Sequence, residues 1–246
     1  MDKGLYTIMT GAGATLRAHA TVANNLANAD TVGFKAERVE TETFRVPGVG
    51  LPTRIDAVAR VPGFDASPGP IVQTGNPLDV APHPNVWLAV QARDGGTAYT
   101  RAGALRLTET GLLTTAGGVP VLGDNGPLAI PPNAALEIAS DGTISILPLG
   151  QGPETVATIG RLGLFRADDP ALLRRGEDGL MRSEQPLPPA SGSAVTVGAV
   201  EGSNVDTARS LVEMIELARQ FEMQVKLIQN GERLGQASTG LLRMGR

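Results

Sequence analysis

Apolar positions recur with a 3.5-residue period at both ends of this 246-residue chain. Near the start, Leu5, Met9, Ala12, Leu16, His19, Ala23 and Leu26 alternate spacings of four and three; near the end, Leu211, Met214, Ala218, Phe221, Val225 and Ile228 do the same. That alternation keeps one stripe of a helix facing a partner helix. It predicts helices over about residues 4–27 and 205–243. Gly11 and Gly13 weaken the first, and Gly231, Gly235 and Gly240 the last third of the second. Helices of this quality are marginal alone, so packing must supply the remaining stability. Ser203 or Asn204 is placed to cap the second helix, with Asp206 in its first turn suiting the helix dipole.

Between the helices the helical repeat gives way to Gly/Pro-rich sequence with closely spaced turn signals. Turn signals recur at Asp94-Gly95-Gly96, Gly117-Gly118, Gly123-Asp124-Asn125-Gly126 and Asp141-Gly142. Strand-like runs lie between them at Val86–Gln91, Leu105–Thr108, Val119–Leu122, Leu136–Ile138, Thr143–Leu147 and Thr158–Phe165. The expected fold is a mainly β central domain, sandwich- or barrel-like, over residues 75–200. Long α-helices at both termini, residues 1–30 and 203–246, form a coiled-coil-like helical domain. Residues 31–74 carry Val46-Pro47-Gly48, Leu51-Pro52, Val61-Pro62-Gly63 and Ser67-Pro68-Gly69-Pro70. Such Pro/Gly spacing excludes helix and predicts an extended arm or loose hairpin.

Composition narrows the function. Twenty-one basic and 25 acidic residues give a formal charge of −4, with no basic stripe, which argues against nucleic acid. There is no cysteine, excluding disulfides, thiolate chemistry and Cys-based zinc sites. No apolar run approaches the roughly 20 residues of a membrane span. The opening residues Met1-Asp2-Lys3-Gly4-Leu5-Tyr6 lack a basic segment followed by an apolar one, so no cleaved Sec-type signal is expected.

Candidate chemistry is thin. His19 sits on the first seam and His83 between two prolines, too far apart in sequence to suggest a metal site. Asp79, Asp124 and Asp141 could be imagined as an acid/base pair, but the latter two stand in turns where Asp serves backbone geometry. Gly11 and Gly13 follow no strand, so they make no nucleotide loop. No catalytic, cofactor-binding or metal residues are expected, and Trp87 reads as core.

The run Asn24-Asn25-Leu26-Ala27-Asn28-Ala29-Asp30-Thr31-Val32-Gly33-Phe34-Lys35 resembles the N-terminal signature of flagellar basal-body rod and hook proteins. Three further pieces follow in the family's order. Thr74-Gly75-Asn76-Pro77-Leu78-Asp79-Val80-Ala81 resembles the opening of their β domain. Tyr99-Thr100-Arg101-Ala102-Gly103, with Gly111-Leu112-Leu113 and Gly118-Val119-Pro120-Val121-Leu122-Gly123, resembles its turn-rich core. Val200-Glu201-Gly202-Ser203-Asn204-Val205-Asp206 resembles the start of their C-terminal helix. Pro82-His83-Pro84-Asn85 departs from the family's acidic, Gly-containing turn.

The wording is most like that of the proximal-rod member, with a distal-rod or hook subunit as the alternative. A secreted β-domain enzyme with a helical dimerisation stalk is a distant third. The resemblance implies a non-enzymatic subunit without cofactor, small-molecule substrate or nucleic acid. It implies export by the flagellar type III apparatus and a place in the periplasmic rod. There it assembles with itself and other rod subunits, through its terminal helices, into a helical tube. The motif residues Asn24, Asn25, Leu26, Ala27, Asn28, Thr31, Gly33, Phe34, Glu201, Ser203, Asn204 and Val205 then read as marking the two helix roots, with the polar turn as an interface knot.

Overall fold

The computed structural model describes residues 2–45, 55–148 and 155–244. Helix α1 spans Asp2–Ala27 and helix α2 spans Thr207–Met244. They pack together, and between them in sequence lies a domain of small antiparallel sheets. The chain divides into two units. One comprises Met1–Ala27, Glu37–Pro62 and Asp206–Arg246; the other comprises Asn28–Ala36 and Gly63–Val205. The stretch read as an arm is therefore shared. Strands Glu37–Arg45 and Ile55–Phe64 pair with each other, while Ile71–Gln73 pairs with Ala199–Glu201. The expected turns at Val46-Pro47-Gly48 and Leu51-Pro52 lie outside the described residues.

In the β unit the largest sheet has five strands. Val86–Gln91 lies within it, between Leu164–Arg166 and Thr97–Thr100. Its period of two explains why the strand is an unbroken apolar run. Val86, Leu88 and Val90 enter one core with Leu105, Leu113, Val121, Ile144 and Leu162. Trp87 and Ala89 enter a second with Phe64, Tyr99, Leu173 and Met181. Trp87 is 4% exposed, edge-on to Phe64 with ring centroids 5.7 Å apart. The run expected over Thr158–Phe165 is two strands, Ala157–Arg161 and Leu164–Arg166. The break is where Gly163 donates to the carbonyl of Leu122.

The Pro82–Asn85 departure is a turn closed by Val86 N–H donating to His83 O. Asn85 holds a φ of 62°, which a short polar side chain tolerates better than most.

The cap of α2 differs from the expectation. Asp206 Oδ1 accepts the Arg209 N–H at 3.0 Å, so Asp206 is the capping side chain. Asn204 is otherwise engaged. Its Oδ1 accepts from Ala36 N at 2.7 Å, and its Nδ2 donates to Asp65 O and Ser67 O. Ser203 Oγ accepts from Val205 N.

Candidate functional site

The structure brings the first and last motif pieces onto one buried carboxylate. Glu201, fully buried, accepts at Oε1 from Lys35 Nζ at 2.7 Å and from Gly69 N at 2.8 Å, and at Oε2 from Arg101 Nε. Lys35 is 1% and Arg101 4% exposed. Two cations on one anion leave a net buried positive charge, and backbone carbonyls offset it. Lys35 Nζ also donates to Ser67 O; Arg101 donates to the carbonyls of Pro82, His83 and Val86. Burial pulls the Lys35 ammonium below the ordinary lysine value, and the Glu201 hydrogen bond and charge oppose that shift. Arg101 also stacks over Trp87 at 5.6 Å.

The turn before Lys35 is shaped by the same cluster. Gly33 N–H donates to Glu201 O at 2.7 Å. At its φ of 71°, a Cβ would sit 2.3 Å from the Arg101 and Ala102 backbone. Only glycine fits there. Phe34 lies under Arg175, whose guanidinium is 4.5 Å from the ring centroid. Asn25 grips Glu37 through both backbone groups at 2.9 Å. Thr31 Oγ1 donates to Asn28 Oδ1. In the chain itself, then, Asn25, Gly33, Lys35, Glu201 and Asn204 act within the molecule. Arg101 and Gly69 complete the cluster, and no local pattern in the sequence marks either as a partner of Glu201. The only signal was that Arg101 stands in one of the four motif pieces.

The helix seams resolve into two stripes. On α1, Ile8, Gly11, Thr15, Ala18, Val22 and Asn25 are buried or half-buried, at spacings of three and four. A second stripe, also at spacings of three and four, runs through Tyr6, Met9, Gly13, Leu16, Ala20, Asn24 and Ala27 and is exposed. Tyr6, Met9 and Leu16 are 65%, 57% and 55% exposed. The predicted seam straddles the two. Ala12 is buried, His19, Ala23 and Leu26 are half-buried, and Met9 and Leu16 face out; the Leu5 side chain lies outside the described ones.

On α2 the half-buried stripe is Ser210, Met214, Leu217, Phe221, Gln224, Ile228 and Gly231. Val225 is half-buried beside it, while Leu211 and Ala218 are exposed. Val212, Ile215, Met223, Leu227 and Leu234 are also more than half exposed.

No group of three or more His, Asp and Glu that could hold a metal occurs among the described residues. Asp141 is a turn residue: its carboxylate accepts from Thr143 N at 3.0 Å and Thr143 Oγ1 at 2.8 Å, which hold it below the usual carboxylate range. His83 Nε2 contacts Thr196 Oγ1.

Comparison with known proteins matches three of the four motif pieces, Thr74–Ala81 lying between the matched regions. Residues 5–35 match the flagella basal body rod protein family, 85–146 the flagellar hook protein FlgE/F/G D1 domain, and 196–241 the flagellar basal body rod FlgEFG protein C-terminal family. The flagellar basal-body rod protein FlgF of Escherichia coli is 43% identical over 236 residues, covering 93% of both chains. The chain belongs to the FlgF family of flagellar basal-body rod proteins. FlgF of Salmonella typhimurium is 42% identical over the same shares, and the rod protein FlgG of Buchnera aphidicola 30% over 87% of this chain. This FlgF-family chain is a structural subunit, not an enzyme. Among its described residues no helix is long and apolar enough to cross a membrane.

Proposed function

We propose that the chain is a subunit of the proximal rod. On this reading its terminal helices bind neighbouring subunits, itself or sister rod proteins, in a helical tube that transmits torque and surrounds the export channel. The type III export apparatus delivers it to the periplasm. The observation that carries this reading is the second stripe of α1. Between Gly4 and Ala27 the only formal charge is Arg17, whereas α2 carries nine charged side chains. A helix that is apolar or small on both sides is built to be buried on both sides, and α2 covers one. The exposed Tyr6, Met9 and Leu16 then belong to an intersubunit seam, together with Leu211 and Ala218 of α2. Met214, Phe221, Val225 and Ile228 serve the pairing inside the chain.

The test is Met9→Asp with Leu16→Asp. The helices should retain their far-ultraviolet dichroism, and cells should lose motility with basal bodies arrested at the rod stage. Normal swimming would overturn the proposal. The weaker match to FlgG supports the proximal over the distal position, which immunolabelling of isolated basal bodies would check.

A further inference from the structure

Within the α1–α2 interface one layer is polar. Gln224 Nε2 donates to Thr15 Oγ1 at 3.2 Å, and the Thr15 hydroxyl donates in turn to Gly11 O at 3.1 Å. Gln224 Oε1 is buried and has no hydrogen-bond partner among the described residues. A buried amide with an unmet acceptor costs stability, and an apolar side chain there would pack at no such cost. The contribution of this layer must therefore lie elsewhere than in pair stability.

We infer that Thr15 and Gln224 are positioning residues that fix the register of the two terminal helices. The helices run antiparallel, because the chain leaves α1 and enters α2 through short connections whose backbones are hydrogen-bonded, Gly33 N to Glu201 O. Counting outward from Thr15–Gln224 places Val22 opposite Leu217 and Ile8 opposite Gly231. Both stripes repeat every seven residues, so a slide of one heptad superimposes them again. The seven-residue repeat alone therefore permits both alignments. The polar layer distinguishes them: after such a slide Gln224 faces Ile8 or Val22, and its amide loses Thr15. A polar pair in a helical seam sets register in this way, at a cost in stability. What it secures is the alignment of the exposed stripe of α1 with the apolar positions of α2.

The chain has no cysteine, so disulfide trapping in the full-length protein is free of background. Val22→Cys with Leu217→Cys reports the native register, and Val22→Cys with Ser210→Cys reports a one-heptad slip. With Gln224 present, the native cross-link should exceed the slipped one by about tenfold. With Gln224→Leu or Thr15→Val that preference should fall below about threefold, and Thr15→Ser, which keeps the hydroxyl, should restore it. Gln224→Leu should also raise the melting midpoint of the helical signal, which loss of a merely structural contact would lower. Failure of the native pair to cross-link, or an unchanged preference in both Gln224→Leu and Thr15→Val, would overturn the inference.

Discussion

Replacing Glu201 by glutamine should destabilise the β unit severely while changing almost no volume. The carboxylate is fully buried and takes three donors, from Lys35, Gly69 and Arg101. The amide keeps one acceptor oxygen and turns the other into a donor facing a donor. It also leaves two cations, at 1% and 4% exposure, without an anion. Breaking a buried ion pair from one side typically costs about 3–5 kcal/mol, a large share of the roughly 5–15 kcal/mol by which domains are stable. At about 2–4 °C per kcal/mol for a chain of this size, the melting temperature should fall by about 6–20 °C.

Trp87 is the natural reporter, being the only tryptophan, buried, and stacked against Arg101. Thermal and guanidinium melts of the full chain followed by its fluorescence give the shift. A companion variant separates charge pairing from packing. Lys35→Met, Arg101→Met and Glu201→Leu together remove all three charges, and should restore most of the lost stability. A fall of less than about 2 °C in Glu201→Gln, or a triple variant as unstable as the single, would refute the reasoning.

The remaining expectations each isolate one feature. Phe221→Asp and Leu211→Asp should both abolish motility, but for different reasons. Phe221 lies on the stripe packed inside the chain, so its variant should lose helical dichroism; Leu211 is 49% exposed, and its variant should keep it. Gly33→Ala must force a Cβ into backbone 2.3 Å away at positive φ, and should cost more than about 3 kcal/mol, read as a drop in Trp87 melting temperature. Asp141 is held by Thr143 below the ordinary carboxylate value, so its contribution is fully present above about pH 4 and is lost as pH falls through the lowered value. Asp141→Asn should therefore flatten the acid limb of stability against pH, and an unchanged limb would refute the assignment. A fragment of residues 70–200 lacks both Lys35 and Glu201 and leaves Arg101 buried without its anion. It should be digested by protease faster than one of residues 28–205.

Local periodicity was enough to reveal two terminal helices and a β domain between them. A 3.5-residue repeat and closely spaced turn residues are properties of neighbouring residues, legible without any partner. The family, too, was legible, because its motifs are short contiguous runs. Which stripe of α1 meets α2 was not. Gly11, Thr15 and Ala18 are too small or polar to register as a seam, yet small side chains are what let two helices approach. Met9 and Leu16 look like seam residues and face outward. The α2 cap eluded the sequence for a similar reason, since Asn204 can cap a helix but is drawn off by Ala36, Asp65 and Ser67. The Lys35–Arg101–Glu201 cluster joins residues 166 and 100 positions apart. No local pattern encodes such pairing. It exists only once the sheets bring the three chain segments together, where exclusion of water makes one carboxylate the required partner of two cations.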